Sequence, residues 1–172
     1  EPDHWLREMV NQFDQPERKE SLGYLCWGKT SDDFQYRLGE VTLYAGTNGG
    51  GKSLVTGQIA LGLIKQKKKV CIASFEMKPT QTLNRMLRQF SGMNFDNPYK
   101  KITKSDFQDI ATRFLDFSSD RLWLYDQQGT TNAQQVIAMT RYVAVELGIN
   151  HVFIDSLMKC VAAEDAYNEQ KY

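Results

Sequence analysis

Apolar residues follow two rhythms along this chain. In residues 3 to 13, "DHWLREMVNQF", Trp5, Leu6, Met9, Val10 and Phe13 recur at the spacing of one helical stripe, with Asp3 placed as an N-cap, so a short amphipathic helix is predicted. The polar, proline-interrupted "DQPERKES" reads as a linker into the compact apolar segment "LGYLCWGKT", whose form the pattern leaves open. From Gly39 onward, short β-branched runs alternate with helical stretches, the signature of a parallel sheet built from βαβ units. Strands are predicted at "VTLYA" (41 to 45), "VCIASF" (70 to 75), "LWLYD" (122 to 126) and "HVFID" (151 to 155), and helices at about 51 to 66, 80 to 91, 104 to 117 and 132 to 147. The strands show little alternation, which implies burial on both faces. Residues 1 to 38 thus form an N-terminal helix and connecting segment, and 39 to 172 the first part of an α/β core.

Composition narrows this picture. With 172 residues, 41% of them apolar, the chain can bury one sizeable core. Lysine plus arginine and aspartate plus glutamate both number 21, so the overall field does not attract polyanions and any nucleic-acid contact must be local. "KQKKK" (65 to 69) falls at a helix end, where cations suit the carbonyl pole, and reads as a solvated turn; the Lys100, Lys101 and Lys104 cluster reads as a solvated loop. Cys26, Cys71 and Cys160 are odd in number and sit among apolar residues, which fits reduced core thiols and a cytoplasmic protein. No apolar run is long enough to span a membrane. Neither His4 nor His151 has a partner at metal-ligand spacing.

The chemistry is concentrated in "GTNGGGKS", residues 46 to 53, between a predicted strand and a predicted helix. Gly46, Gly51, Lys52 and Ser53 match the phosphate-binding pattern G-x-x-x-x-G-K-[ST]. Successive backbone N–H groups at a helix N-terminus can surround a phosphate, and glycines let the backbone come close. The stretch Gly46, Thr47, Asn48, Gly49, Gly50, Gly51, Lys52, Ser53 and Leu54 is therefore the expected nucleotide site, with Lys52 reaching the outer phosphates and Ser53 helping to hold Mg2+. Three acids end predicted strands on the edge where open α/β sheets bind ligands. Asp155 closes "VFID" as a metal-orienting carboxylate, and Glu76 follows "VCIASF" as a base for the attacking water. Asp126 is either a third such acid or a turn-former in "DQQGTT".

In order, these pieces resemble the hexameric replicative helicases of the DnaB type, in particular phage and prophage primase-helicases. "GEVTLYAGTNGGGKS" is similar to that family's strand and Walker A loop, "SFEM" followed by Arg85 to its second-strand motif, "LWLYDQQGTT" followed by Arg141 to its third, and "VFIDSL" to its Walker B strand. The resemblance implies a RecA-like P-loop fold with a mainly parallel sheet flanked by helices. It also implies ATP and Mg2+ at Lys52, Ser53 and Asp155, Glu76 as catalytic glutamate, Arg85 and Arg141 as further site residues, a homo-hexameric ring and single-stranded DNA as partner. The helix at 3 to 13 occupies the place of a linker helix that packs on a neighbouring subunit; an edge helix on its own domain is the alternative.

Asp155 followed by Ser156, where many members have an aspartate-tyrosine pair, also suits the recombinase branch of RecA-like ATPases, whereas "SFEM" suits the helicases. Alternatives to a DNA-unwinding motor are thus a recombinase or regulatory ATPase, or a nucleotide-gated assembly or loading module. Both chain ends read as interior to a longer protein. The family's sensor strand, DNA-binding loops and arginine finger would follow Tyr172, so the sheet is expected to stop after Walker B and these residues alone to hydrolyse ATP poorly.

Overall fold

The computed structural model describes residues 2–12, 27–29, 34–47, 49–95, 97, 102–129 and 131–160. They form two compact units, Glu1–Tyr44 and Ala45–Tyr172.

In the first unit, helix α1 spans Pro2–Gln12. Proline at the first helical position needs no N–H partner, and Asp3 lies inside the first turn rather than capping it. Asp3 accepts a bond from Arg7 at 2.9 Å, one turn on. The predicted stripe is present and uncovered, with Trp5, Leu6, Met9 and Val10 all more than half exposed; Phe13 lies outside the described residues. Further along, Phe34 and Tyr36 meet edge to face at 4.9 Å, and the Tyr36 and Tyr44 hydroxyls share a hydrogen bond.

The strand expected at 41 to 45 is not formed. Val41 is 97% and Leu43 74% exposed, the opposite of a strand buried on both faces. An apolar run becomes a strand only when a neighbouring edge pairs its N–H and C=O groups. Among the described residues no segment supplies that edge.

The second unit is α/β, as the alternation predicts. Its order is α2 (Lys52–Lys65), β1 (Val70–Ser74), α3 (Pro79–Ser91), α4 (Lys104–Ser118), β2 (Leu122–Tyr125), α5 (Ala133–Glu146) and β3 (His151–Asp155). The three strands form a parallel sheet in the order β2-β1-β3, with Val70 level with Leu122 and His151, and Ser74 level with Asp155. Only β1 is buried throughout. The flanking strands β2 and β3 are half-buried, so their unbroken apolar runs overstate their burial, because each pairs on one side only among the described residues.

Side chains alternate along β1. Cys71, Ala73 and Phe75 pack with Val136, Met139 and Val143 of α5, and with Ile149 and Cys160. Val70 and Ile72 point the other way, towards the layer made by α2, α3 and α4, whose inner residues include Ile59, Leu63, Ile64, Met86, Ile110 and Phe114. Phe90 of α3 stacks edge to face on Phe114 at 5.5 Å and tilts against Phe117 at 5.0 Å, fixing α3 on α4.

Helix starts reveal a contrast. Thr103 and Asp106 cap α4 reciprocally: the Asp106 amide donates to Thr103 Oγ1 at 3.2 Å and the Thr103 amide to Asp106 Oδ2 at 2.9 Å. The Thr103 hydroxyl, which donates to Asp106 Oδ2 at 2.7 Å, and then the Thr103 amide hold the Asp106 carboxyl below its ordinary value. Asn132 caps α5 through a 2.8 Å bond from the Gln135 amide. Helix α2 begins on Gly51 with no side-chain cap at all. Its Leu54 amide bonds back to Gly51 O at 2.9 Å, and among the described residues no side chain accepts the Lys52 or Ser53 amide.

Candidate phosphate and metal site

The loop before α2 is shaped by glycines at the positions that need them. Gly49 has φ 78° and Gly51 φ 82°, both in the left-handed region that disfavours other residues. Gly50 has a different constraint, since a Cβ there would lie 3.0 Å from the Thr47 carbonyl oxygen. That same carbonyl accepts the Gly50 amide at 3.1 Å, closing the turn, and Gly51 O accepts the Leu54 and Val55 amides at 2.9 and 3.0 Å, starting the helix. The Lys52 ammonium folds back over the loop, donating to Gly46 O at 2.7 Å and Thr47 O at 2.9 Å. Leu54 O accepts Gln89 Nε2 at 2.7 Å, which ties the first turn of α2 to α3. Asn48 lies outside the described residues.

Parallel strands bring the acids to the same edge as this loop. Ser53 Oγ donates to Asp155 Oδ2 at 2.6 Å, across 102 positions of sequence. At the end of β1 the Phe75 amide donates to Asp155 O at 2.7 Å, carrying the ladder one step past the strands. Glu76 follows and is exposed, and its Oε1 accepts the Ser156 hydroxyl at 2.8 Å. The loop after β2 crosses the same edge, where the Gly129 amide donates to Phe75 O at 3.0 Å.

Ser53, Asp155 and Glu76 are therefore gathered within two short hydrogen bonds of one another, through the dipeptide Asp155-Ser156. Asp126 follows β2 and is exposed, and among the described residues no bond links it to the other three. Arg141 is exposed on α5. Arg85 lines a shallow groove of about 410 Å³ with Met77, Gln81, Asn84 and Arg88, beginning at the residue after Glu76. Lys52, Arg85 and Arg141 take part in neither of the ion pairs Arg7–Asp3 and Arg37–Glu40.

Among the described residues no group of three or more His, Cys, Asp or Glu could hold a metal ion. The Ser53 and Asp155 oxygens are instead a pair of hard donors, which fits Mg2+, since that ion usually keeps several waters and binds through one or two protein oxygens plus phosphates. His151, at the opposite end of β3, is held at about 4 by burial and then by Lys68, so it stays neutral at physiological pH.

A protein-family model described as the DnaB-like helicase C terminal domain matches residues 35–171. The chain belongs to the DnaB-like helicase family. Within this DnaB-like domain the match includes the glycine loop, both acids and Ser156, so the hydrogen-bonded edge lies wholly inside the family region. Ser156 and Gln89 were not singled out as site residues from the sequence. Ser156 had a signal in its place directly after Asp155; Gln89 had none, because its bond to Leu54 depends on how α3 lies against α2. Among the described residues of this DnaB-like domain no helix is long and apolar enough to cross a membrane.

Proposed function

We propose that this chain is the first part of the ATPase core of a replicative DNA helicase, which couples Mg-ATP hydrolysis to translocation on single-stranded DNA and duplex unwinding. Membership of the DnaB-like family supports a replicative helicase. The observation that carries the hydrolytic reading is the 2.6 Å bond from Ser53 to Asp155, which joins a glycine loop shaped for phosphate to the carboxylate suited to its metal. In this reading the uncapped amides of α2 and the Lys52 ammonium bind the phosphates, and Lys52 leaves its two loop carbonyls to do so. Ser53 and Asp155 hold Mg2+, which supplies charge neutralisation on the outer phosphates. Glu76 orients the attacking water and accepts its proton. Arg85, Arg141 and Asp126 sit further out, as candidates for contacts with phosphate or with a neighbouring subunit.

The protein works as a homo-hexameric ring in the cytoplasm. The exposed stripe of α1 supports residues 1 to 38 as a linker that packs on the next subunit, ahead of the ATPase core that starts at 39. The buried free cysteines Cys71 and Cys160 suit a reducing compartment.

The test is strand displacement by the full-length protein with Mg-ATP, alongside Lys52→Ala and Glu76→Gln variants. Lys52→Ala weakens nucleotide binding. Glu76→Gln retains binding but lowers turnover by roughly 10²- to 10⁴-fold, and unwinding falls with it. Unchanged Mg-ATP affinity in Lys52→Ala contradicts this reading. Strand exchange without strand separation selects instead a recombinase-type ATPase, which the Asp155-Ser156 pair favours as second choice. Unwinding or assembly that survives loss of turnover in Glu76→Gln selects a nucleotide-gated loading module.

A further inference from the structure

We infer that Ser156 is a positioning residue for Glu76, the side chain through which the end of β3 sets the direction of the catalytic carboxylate. This rests on the reading of Glu76 as the base of an ATPase.

Glu76 is exposed and stands just beyond the last residue of β1. A glutamate in that setting keeps most of its rotamer freedom, and holding it in one orientation costs side-chain entropy. The Ser156 hydroxyl offsets part of that cost by donating to Oε1 at 2.8 Å from a half-buried position at the end of β3. One carboxylate oxygen is then engaged and the other is left to face a water. The bond is not needed to pair the strands. Ladder register already joins Ala73 to Ile154 and Ser74 to Asp155, and the Phe75 amide reaches Asp155 O at 2.7 Å. Its effect is therefore on orientation.

Placement adds a second argument. Asp155 and Ser156 are consecutive, and each reaches a different part of the site: Asp155 accepts the Ser53 hydroxyl of the phosphate loop, while Ser156 donates to the acid after β1. A shift of this dipeptide when Ser53 and Asp155 engage a metal would move Glu76 with it. The position of the base is thereby tied to the occupancy of the phosphate loop.

The test uses the full-length protein with Mg-ATP and single-stranded DNA, comparing the parent with Ser156→Ala, Ser156→Thr, Glu76→Gln and the Ser156→Ala/Glu76→Gln double variant. Misplacement of a general base by a fraction of an ångström lowers turnover by about 10-fold, so kcat of Ser156→Ala falls by that order while KM and the Kd for Mg-ATP stay within about 2-fold. Ser156→Thr, which keeps the hydroxyl, recovers most of the loss. In the Glu76→Gln background, Ser156→Ala causes no further fall, because Ser156 acts only through Glu76. Thermal melts of all variants stay close to the parent. Parental kcat in Ser156→Ala, a loss that multiplies with that of Glu76→Gln, or no recovery with threonine overturns the inference while leaving the ATPase reading intact. Parental turnover in Glu76→Gln overturns both.

Discussion

Replacing Gly51 with alanine isolates the backbone term of the glycine loop before α2. Gly51 sits at φ 82° and ψ 10°, and a Cβ placed there would meet no atom within 4 Å. Steric clash therefore adds nothing, and the cost is that of forcing an L-residue into the left-handed region, about 1–2 kcal/mol. Part of it, about 0.4–1 kcal/mol, is returned because alanine restricts the unfolded chain more than glycine does. The net loss is on the order of 1 kcal/mol. For a chain of this size that lowers Tm by roughly 2–4 °C. Asparagine tolerates the left-handed region better, so Gly51→Asn should lose less than Gly51→Ala. Relief of the strain by rotation would pull Gly51 O away from the Leu54 and Val55 amides and unwind the first turn of α2. Affinity for Mg-ATP would then fall together with stability. Circular dichroism melts of the parent and both variants, with nucleotide titrations beside them, measure this. A Gly51→Ala protein that melts at or above the parent, or one less stable by far more than the backbone term, refutes the reasoning.

Three further outcomes follow from the packing. Gly57→Ala gains about 1 kcal/mol of helix propensity, but its Cβ would lie 2.6 Å from Gln89 Oε1, displacing Gln89 from Leu54 O and losing a bond of similar worth; urea melts should find it near neutral alone and stabilising by about 0.5–1 kcal/mol in a Gln89→Ala background, and equal effects in both backgrounds refute the coupling. His151 has a folded pKa of about 4 against an ordinary 6.5, so the unfolded chain takes the proton first: its contribution is complete above about pH 6.5 and is lost as pH falls towards 4. Denaturant melts at pH 7 and pH 5 should therefore diverge less for His151→Gln than for the parent. Burial pushes the Cys71 thiol up to about 11, so at pH 8 a disulfide reagent should label Cys71 in urea-unfolded protein but hardly at all in the native state, as read by peptide mass; rapid native labelling would contradict its place in the core.

Local chemistry carried much of the reading. Apolar spacing set helices α2 to α5 and the three strands within a residue or two, since a helix or strand is recognisable from the period of the face it buries. The shape of the glycine loop was legible for the same kind of reason: Gly49 and Gly51 adopt positive φ, and this requirement is met within a few residues of sequence. Asp155 and Glu76 could be nominated because each ends an apolar run.

What lay outside the pattern was pairing. "VTLYA" has the composition of a strand, yet Val41 and Leu43 remain exposed, because strand formation depends on a partner edge and not on composition alone. The order β2-β1-β3, the bond from Ser53 to Asp155, and the one from Ser156 to Glu76 join residues far apart in the chain, 102 positions for the first bond and 80 for the second. Sequence decided which residues could be strands, helix starts and acids at strand ends. Only the tertiary structure decided which of them meet, since side-by-side placement of distant strands arises from the packing of α5 on one face and α2 to α4 on the other, and no local preference encodes it.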